Sequence, residues 1–196
     1  MPWAGLTSVF EAELEANKLR SMVISAAMAA LALTLPLAFH AVGLGDKFLP
    51  MLLPLLLNGF LVPLPWAALV GGAVPWISAL MTGMPPLYPP VALLLSCEGM
   101  ILGGVAAAAY RATRPRIWPA LLLAIVSGRA VSFALTWWLA RSLGLPPALA
   151  SLATFAQSLP GVALQLAVVP AVVRALLKRK GMLFAYDGKP EAASLQ

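Results

Sequence analysis

Charge is scarce in this chain. Only 10% of its 196 residues are Asp, Glu, Lys or Arg, where a soluble domain carries roughly 25%. Cysteine is almost missing: Cys97 is the one example, and it lies inside an apolar run. No intramolecular disulfide can form. Histidine is equally thin, with His40 alone, so no cluster with metal-ligand spacing exists and no cofactor is expected. A glycine-rich phosphate loop is absent, so ATP hydrolysis is not expected of this chain. No basic stripe carries interleaved aromatics, and nucleic acid is set aside as a partner. The first residues lack a cleavable leader pattern. Glu11, Glu13, Glu15, Lys18 and Arg20 precede an apolar run too long for a signal core.

What the chain has is apolar length. Hydrophobic residues make up 61% of it. Six apolar segments stand out, roughly 21–42, 49–62, 65–82, 88–110, 118–141 and 149–177, against about 20 residues needed to cross a bilayer. The second is short and holds Pro50 and Pro54, which predicts a broken helix or one lining a cavity. The expectation is an all-α integral membrane protein with six transmembrane helices in one compact bundle and both termini cytoplasmic. Residues 1–20 form an amphipathic N-terminal segment suited to the inner membrane surface. Residues 21–178 form the membrane domain, and 179–196 a polar tail. Basic residues set the orientation: with both ends inside, only Lys47 and Arg141 fall in outer loops.

Within the apolar frame two charges are out of place. Glu98 and Arg129 each fall near the middle of a span, where a charge costs a few kcal/mol and is usually paired or faces a cavity. Helical rise puts them at one level, together with Asn58, Gln157 and Gln165. Two readings stay open here. The five residues line an interior pocket in which Arg129 offers its planar fork to a carboxylate or a polar ring edge. Alternatively Glu98 and Arg129 pair as helix glue, with the amides serving likewise.

Other residues carry weaker signals. His40 lies at the outer end of the first span, where it would contact ligand or sit in the interface. Tyr88 and Trp137 are candidate stacking surfaces for a flat ligand, although Trp and Tyr at span ends more often form an interfacial belt. The proline-rich stretch Gly83 to Pro90 and the turn near Asp46 read as tight turns or as a semi-rigid lid. The spacings Ala26-x-x-x-Ala30, Ala68-x-x-x-Gly72 and Gly99-x-x-x-Gly103 mark faces of close helix approach. For the last two the expected contact is internal; the first can also dock a partner. Ser127-Gly128 in a span has no histidine at its depth to act as base, which argues against an intramembrane hydrolase.

These features together resemble the substrate-binding S components of energy-coupling factor (ECF) transporters, over about residues 20–180. The resemblance rests on the six-span layout, on Ala26-x-x-x-Ala30, and on the run Leu49-Pro50-Met51 through Asn58-Gly59-Phe60. The stretch Leu80-Met81-Thr82-Gly83-Met84-Pro85-Pro86-Leu87-Tyr88-Pro89 is its most specific part. It implies high-affinity capture of a vitamin or cofactor precursor outside a prokaryotic plasma membrane. It further implies assembly with a T component and two cytoplasmic ATPases, and toppling of the S subunit to release its cargo. Ala26 and Ala30 would face the T component, and the loops near Asp46 and Met84 to Tyr88 would gate the pocket. The chain would be a transport subunit and not an enzyme. Pantothenate, folate, a queuosine precursor and a cobalamin-like compound remain open as ligands. A structural six-span scaffold of the cell-shape machinery is the alternative; it needs neither buried charge.

Overall fold

The computed structural model describes residues 3–41, 43, 48–88, 90–113, 116–144 and 158–178, with side chains from Asn17 to Leu176 within those ranges. The described residues form six α-helices and no strand. They are α1 (Trp3–Ala41), α2 (Leu52–Leu61), α3 (Leu64–Thr82), α4 (Val91–Ala112), α5 (Ile117–Leu143) and α6 (Leu159–Lys178). Five contain stretches long and apolar enough to cross a membrane: Asn17–Ala41, Leu64–Thr82, Val91–Ala112, Ile117–Leu143 and Leu159–Leu176. Their outward surfaces are greasy. Val23, Leu69, Leu80 and Val126 are each at least 60% exposed, which water would penalise and lipid does not.

α2 is the exception. Its 10 residues span about 15 Å, half of a hydrocarbon core. It is short because it is internal. Leu52, Leu55, Leu56 and Phe60 are all within 1% of complete burial, and the helix is packed by α1, α3, α4 and α6. A helix apolar on every side belongs in a core. Pro54 falls in its first turn, where no intrahelical N–H is lost. The proline therefore starts this helix and does not break it.

The N-terminal segment and the first span form one uninterrupted 39-residue helix. Pro36 lies inside it, near its far end. α3 starts on a proline turn and ends at Gly83, whose φ of 73° places it in the left-handed region while its N–H caps the Ala79 carbonyl. Gly144 ends α5 the same way, at φ 62° on the Ala140 carbonyl. The last expected span begins as a described helix only at Leu159; residues 149–157 lie outside the described ones.

Glycine brings α2, α3 and α4 into backbone contact. A Cβ on Gly99 would stand 2.7 Å from the Gly71 carbonyl oxygen, and one on Gly103 3.1 Å from that of Ala67. Cβ atoms on Gly71 and Gly59 would collide with the Gly99 and Gly103 carbonyls. The close-contact face of α3 is thus Ala67-x-x-x-Gly71, one residue before the Ala68-x-x-x-Gly72 spacing read from the sequence. Gly72 meets nothing nearer than the Met100 side chain at 3.9 Å. Both spacings fit a small-residue face, and only packing chooses between them.

Candidate functional site

The polar centre is built where α5 crosses α4. Gly128 permits the approach: a Cβ there would lie 3.0 Å from Leu102 Cδ1 and 3.8 Å from Glu98 Cγ. The next residue, Arg129, directs its guanidinium to Glu98, and Nη2 pairs with Oε1 of the carboxylate. Ser132, one turn on, hydrogen-bonds the same carboxylate. Arg129 Nη1 donates to the Ser158 hydroxyl at 3.4 Å, tying in the residue just before α6. Three elements therefore meet at one guanidinium.

Burial separates the partners. The Glu98 side chain is 2% exposed and the Arg129 side chain 19%. The acid is sealed; the cation has an open edge. Arg129 Nε is buried with no hydrogen-bond partner among the described residues. A buried ion pair is held by its attraction against a large desolvation cost, so it needs its remaining donors satisfied. Nε lacks such a partner among the described residues.

Gln165 lies on the inward face of α6, which also carries Ser158, Gly161, Val169 and Val173. It is 1% exposed. Neither end of its amide has a hydrogen-bond partner among the described residues. Leaving such a group unpaired costs about 1–3 kcal/mol. Asn58 in α2 is fully buried, and its Oδ1 accepts the Ser25 hydroxyl of α1 at 3.4 Å. Its amide nitrogen has no partner among the described residues. Asn58 thus bonds toward α1, not toward Arg129.

The remaining expected residues are dispersed. Trp137 is 53% exposed and lies beneath Arg141 of its own helix, 5.8 Å from the guanidinium carbon to the ring centroid. Tyr88 is 74% exposed in the α3–α4 connection. His40 ends α1, with Nδ1 2.8 Å from the Pro36 carbonyl oxygen. Ala26 and Ala30 are both exposed on α1. Gln157 and Asp46 lie outside the described residues.

Sequence reasoning passed over Ser132 and Ser158. Ser132 follows Gly128 by four residues, so both face α4, and that spacing beside Arg129 was a readable signal. Ser158 gave none, because its role depends on where α6 begins. A cavity of about 620 Å³ lies at the end of the bundle where α1 and α3 finish and α2 and α4 start, lined by Met84, Pro85 and Pro86 of the stretch read as turns or a lid and by Pro50 to Leu52 of the segment read as broken or cavity-lining. His40 lines it; Glu98, Arg129, Asn58 and Gln165 do not. Among the described residues there is no group of acids, histidines or cysteines fit to hold a metal.

The profile of the family described as "ECF transporter, substrate-specific component" matches residues 20–174. The chain belongs to this family. The substrate-specific component is a transport subunit and not an enzyme, and this chain is accordingly a multi-pass membrane protein whose part in transport is to bind a small-molecule substrate. Membership implies association with the T and ATPase components and residence in a prokaryotic plasma membrane. No curated protein and no solved structure gave a match.

Proposed function

We propose that this ECF substrate-specific component captures a vitamin or cofactor precursor from outside the cell and passes it inward with a T component and two cytoplasmic ATPases. One observation carries the reading: Arg129 is buried enough to be desolvated, open enough to be reached, and its Nε has no hydrogen-bond partner among the described residues. A planar guanidinium in that condition suits a carboxylate or a hydrogen-bonding ring edge. Glu98 and Ser132 hold it in place from α4 and α5, and Ser158 flanks it from the start of α6. Gln165 lies further along the buried face of α6, with an amide that can pair with a ligand reaching past Arg129. Gln157, one residue before Ser158, joins this proposal by its position in the sequence. Asn58, His40, Tyr88 and Trp137 belong to an outer ring of candidates.

In the same reading the chain crosses the membrane six times with both termini cytoplasmic, α2 being the short internal crossing. The basic loop around Arg111 and Arg116 then lies inside. Ala26 and Ala30 form the flat strip of α1 on which the T component seats. A scaffold role has no specific observation in its favour.

The test is equilibrium binding over a vitamin panel with the purified chain. Wild type and Arg116→Ala bind one member tightly. Arg129→Ala loses at least about tenfold in affinity, which is the value of about 1.4 kcal/mol. If Arg129→Ala binds normally and only unfolds more readily in detergent, the ion pair is structural glue and the pocket lies elsewhere.

A further inference from the structure

The cavity at the α1–α3 end differs in kind from the Arg129 centre. Among the described residues that line it there is no charged side chain. Leu33 and Leu37 of α1, Met51 and Leu52 at the start of α2, and Val91 and Leu95 of α4 supply its walls. Its two hydroxyls are already engaged in holding the rim. Ser78 donates to the Met84 carbonyl at 2.6 Å. Thr82 donates to the Ser78 carbonyl at 2.8 Å and accepts from the Met84 N–H at 3.2 Å. His40, with Nδ1 bonded at Pro36, is the one titratable group on the wall.

The rim is rigid. Pro36, Pro50, Pro85 and Pro86 all contribute to it, and proline has few states to lose on ordering. Leu49, also on the wall, has φ 46°. A non-glycine residue in that region is strained, and such residues gather at sites that need a fixed shape. The mouth is apolar: Leu37 is 56% exposed and Met84 54%. A preformed, uncharged cavity of 620 Å³ falls within the roughly 300–1,000 Å³ of small-molecule sites.

The geometry points to a second binding site in this cavity, one for an uncharged, largely apolar molecule that enters beside Leu37. It is separate from the Arg129 centre and does not rest on the capture proposed there. A charged solute would meet no counter-ion among the described wall residues and would lose its hydration on entry. Two sources share the required chemistry: a free lipophilic small molecule, and the acyl chain of a membrane lipid.

Two photoreactive probes separate them, each used on the full chain in nanodiscs. One is an uncharged medium-chain alcohol bearing a diazirine; the other is phosphatidylcholine with a diazirine near the end of one acyl chain. Peptide mapping reads labelling at Met51, Val91 and Leu95, with lipid-facing Leu122 and Val126 as internal controls. The expected result is saturable labelling of the cavity residues by the alcohol, competed by unlabelled alcohol. Leu95→Trp fills the cavity and lowers that labelling by about tenfold, with Leu122 and Val126 unchanged. Leu37→Trp, at the half-exposed mouth, gives the same loss without a change in the packed wall. Arg129→Ala leaves cavity labelling intact, so failure of the capture reading does not register here. Labelling of the cavity by the phosphatidylcholine, with the alcohol unable to compete, assigns the same apolar site to a lipid chain. Labelling confined to Leu122 and Val126 with both probes, or cavity labelling unmoved by both tryptophan variants, overturns the proposal.

Discussion

Arg129 makes three separable demands on its surroundings: a counter-charge, a hydroxyl, and something for Nε. The first two are met by Glu98 and Ser158. Removing Glu98 alone strands a cation inside the bundle, so Glu98→Ala should cost about 3–5 kcal/mol of stability. The double variant Glu98→Leu with Arg129→Leu removes both charges, and most of that stability should return. Thermal unfolding in detergent checks both. If the pair also serves a ligand, the double variant is stable and does not bind. Gln165 allows a parallel test. Gln165→Leu removes two unpaired polar atoms and should raise the stability of the ligand-free chain by about 1 kcal/mol while weakening capture. A lowered unfolding temperature would mean the amide has partners beyond those described. At this scale the sequence was informative where charge was out of place. Glu98 and Arg129 stand out in any hydropathy reading, and their shared depth allowed a pair without deciding between a pair and a ligand contact; the ion pair is seen only in the structure. Asn58 shares their estimated depth yet turns to Ser25, because helical rise gives level and not azimuth.

The helices themselves follow from apolar runs and their punctuation. Gly83 and Gly144 end α3 and α5 in the left-handed conformation that glycine adopts without cost. α2 was harder to read. Its prolines suggested a broken span or one lining a cavity; the helix is unbroken, its start lines the cavity, and it is enclosed by the four helices α1, α3, α4 and α6. The α3–α4 face was legible as a type and not in register. That register can be tested. Gly71→Leu should cost about 3 kcal/mol or more, since its side chain would enter the α4 backbone. Gly72→Leu, which faces only Met100, should stay within about 0.5 kcal/mol. Equal losses at both positions would contradict the contact described. The expected start of the sixth span at residue 149 lies outside the described residues, and Ser158 carried no signal of its contact with Arg129.

At the scale of the whole molecule the family match over residues 20–174 assigns the role, and the docking face proposed on α1 can be tested. Ala26 and Ala30 are exposed on α1, where in the proposed reading a partner helix packs against them. Ala30→Trp should leave ligand affinity unchanged and prevent co-purification with a T component. Normal assembly of that variant would move the docking face elsewhere. A cavity under the proline-rich stretch was one reading of the sequence; its apolar walls were not legible, because they are assembled from four helices and the connections between them. The most direct test of the account is the molecule that the protein carries. Wild-type and Arg129→Ala chains, purified in parallel and denatured, are compared by mass spectrometry of what they release. The account predicts one small molecule retained by the wild type and lost from Arg129→Ala. The same molecule released equally from both, or nothing released from either, would contradict it.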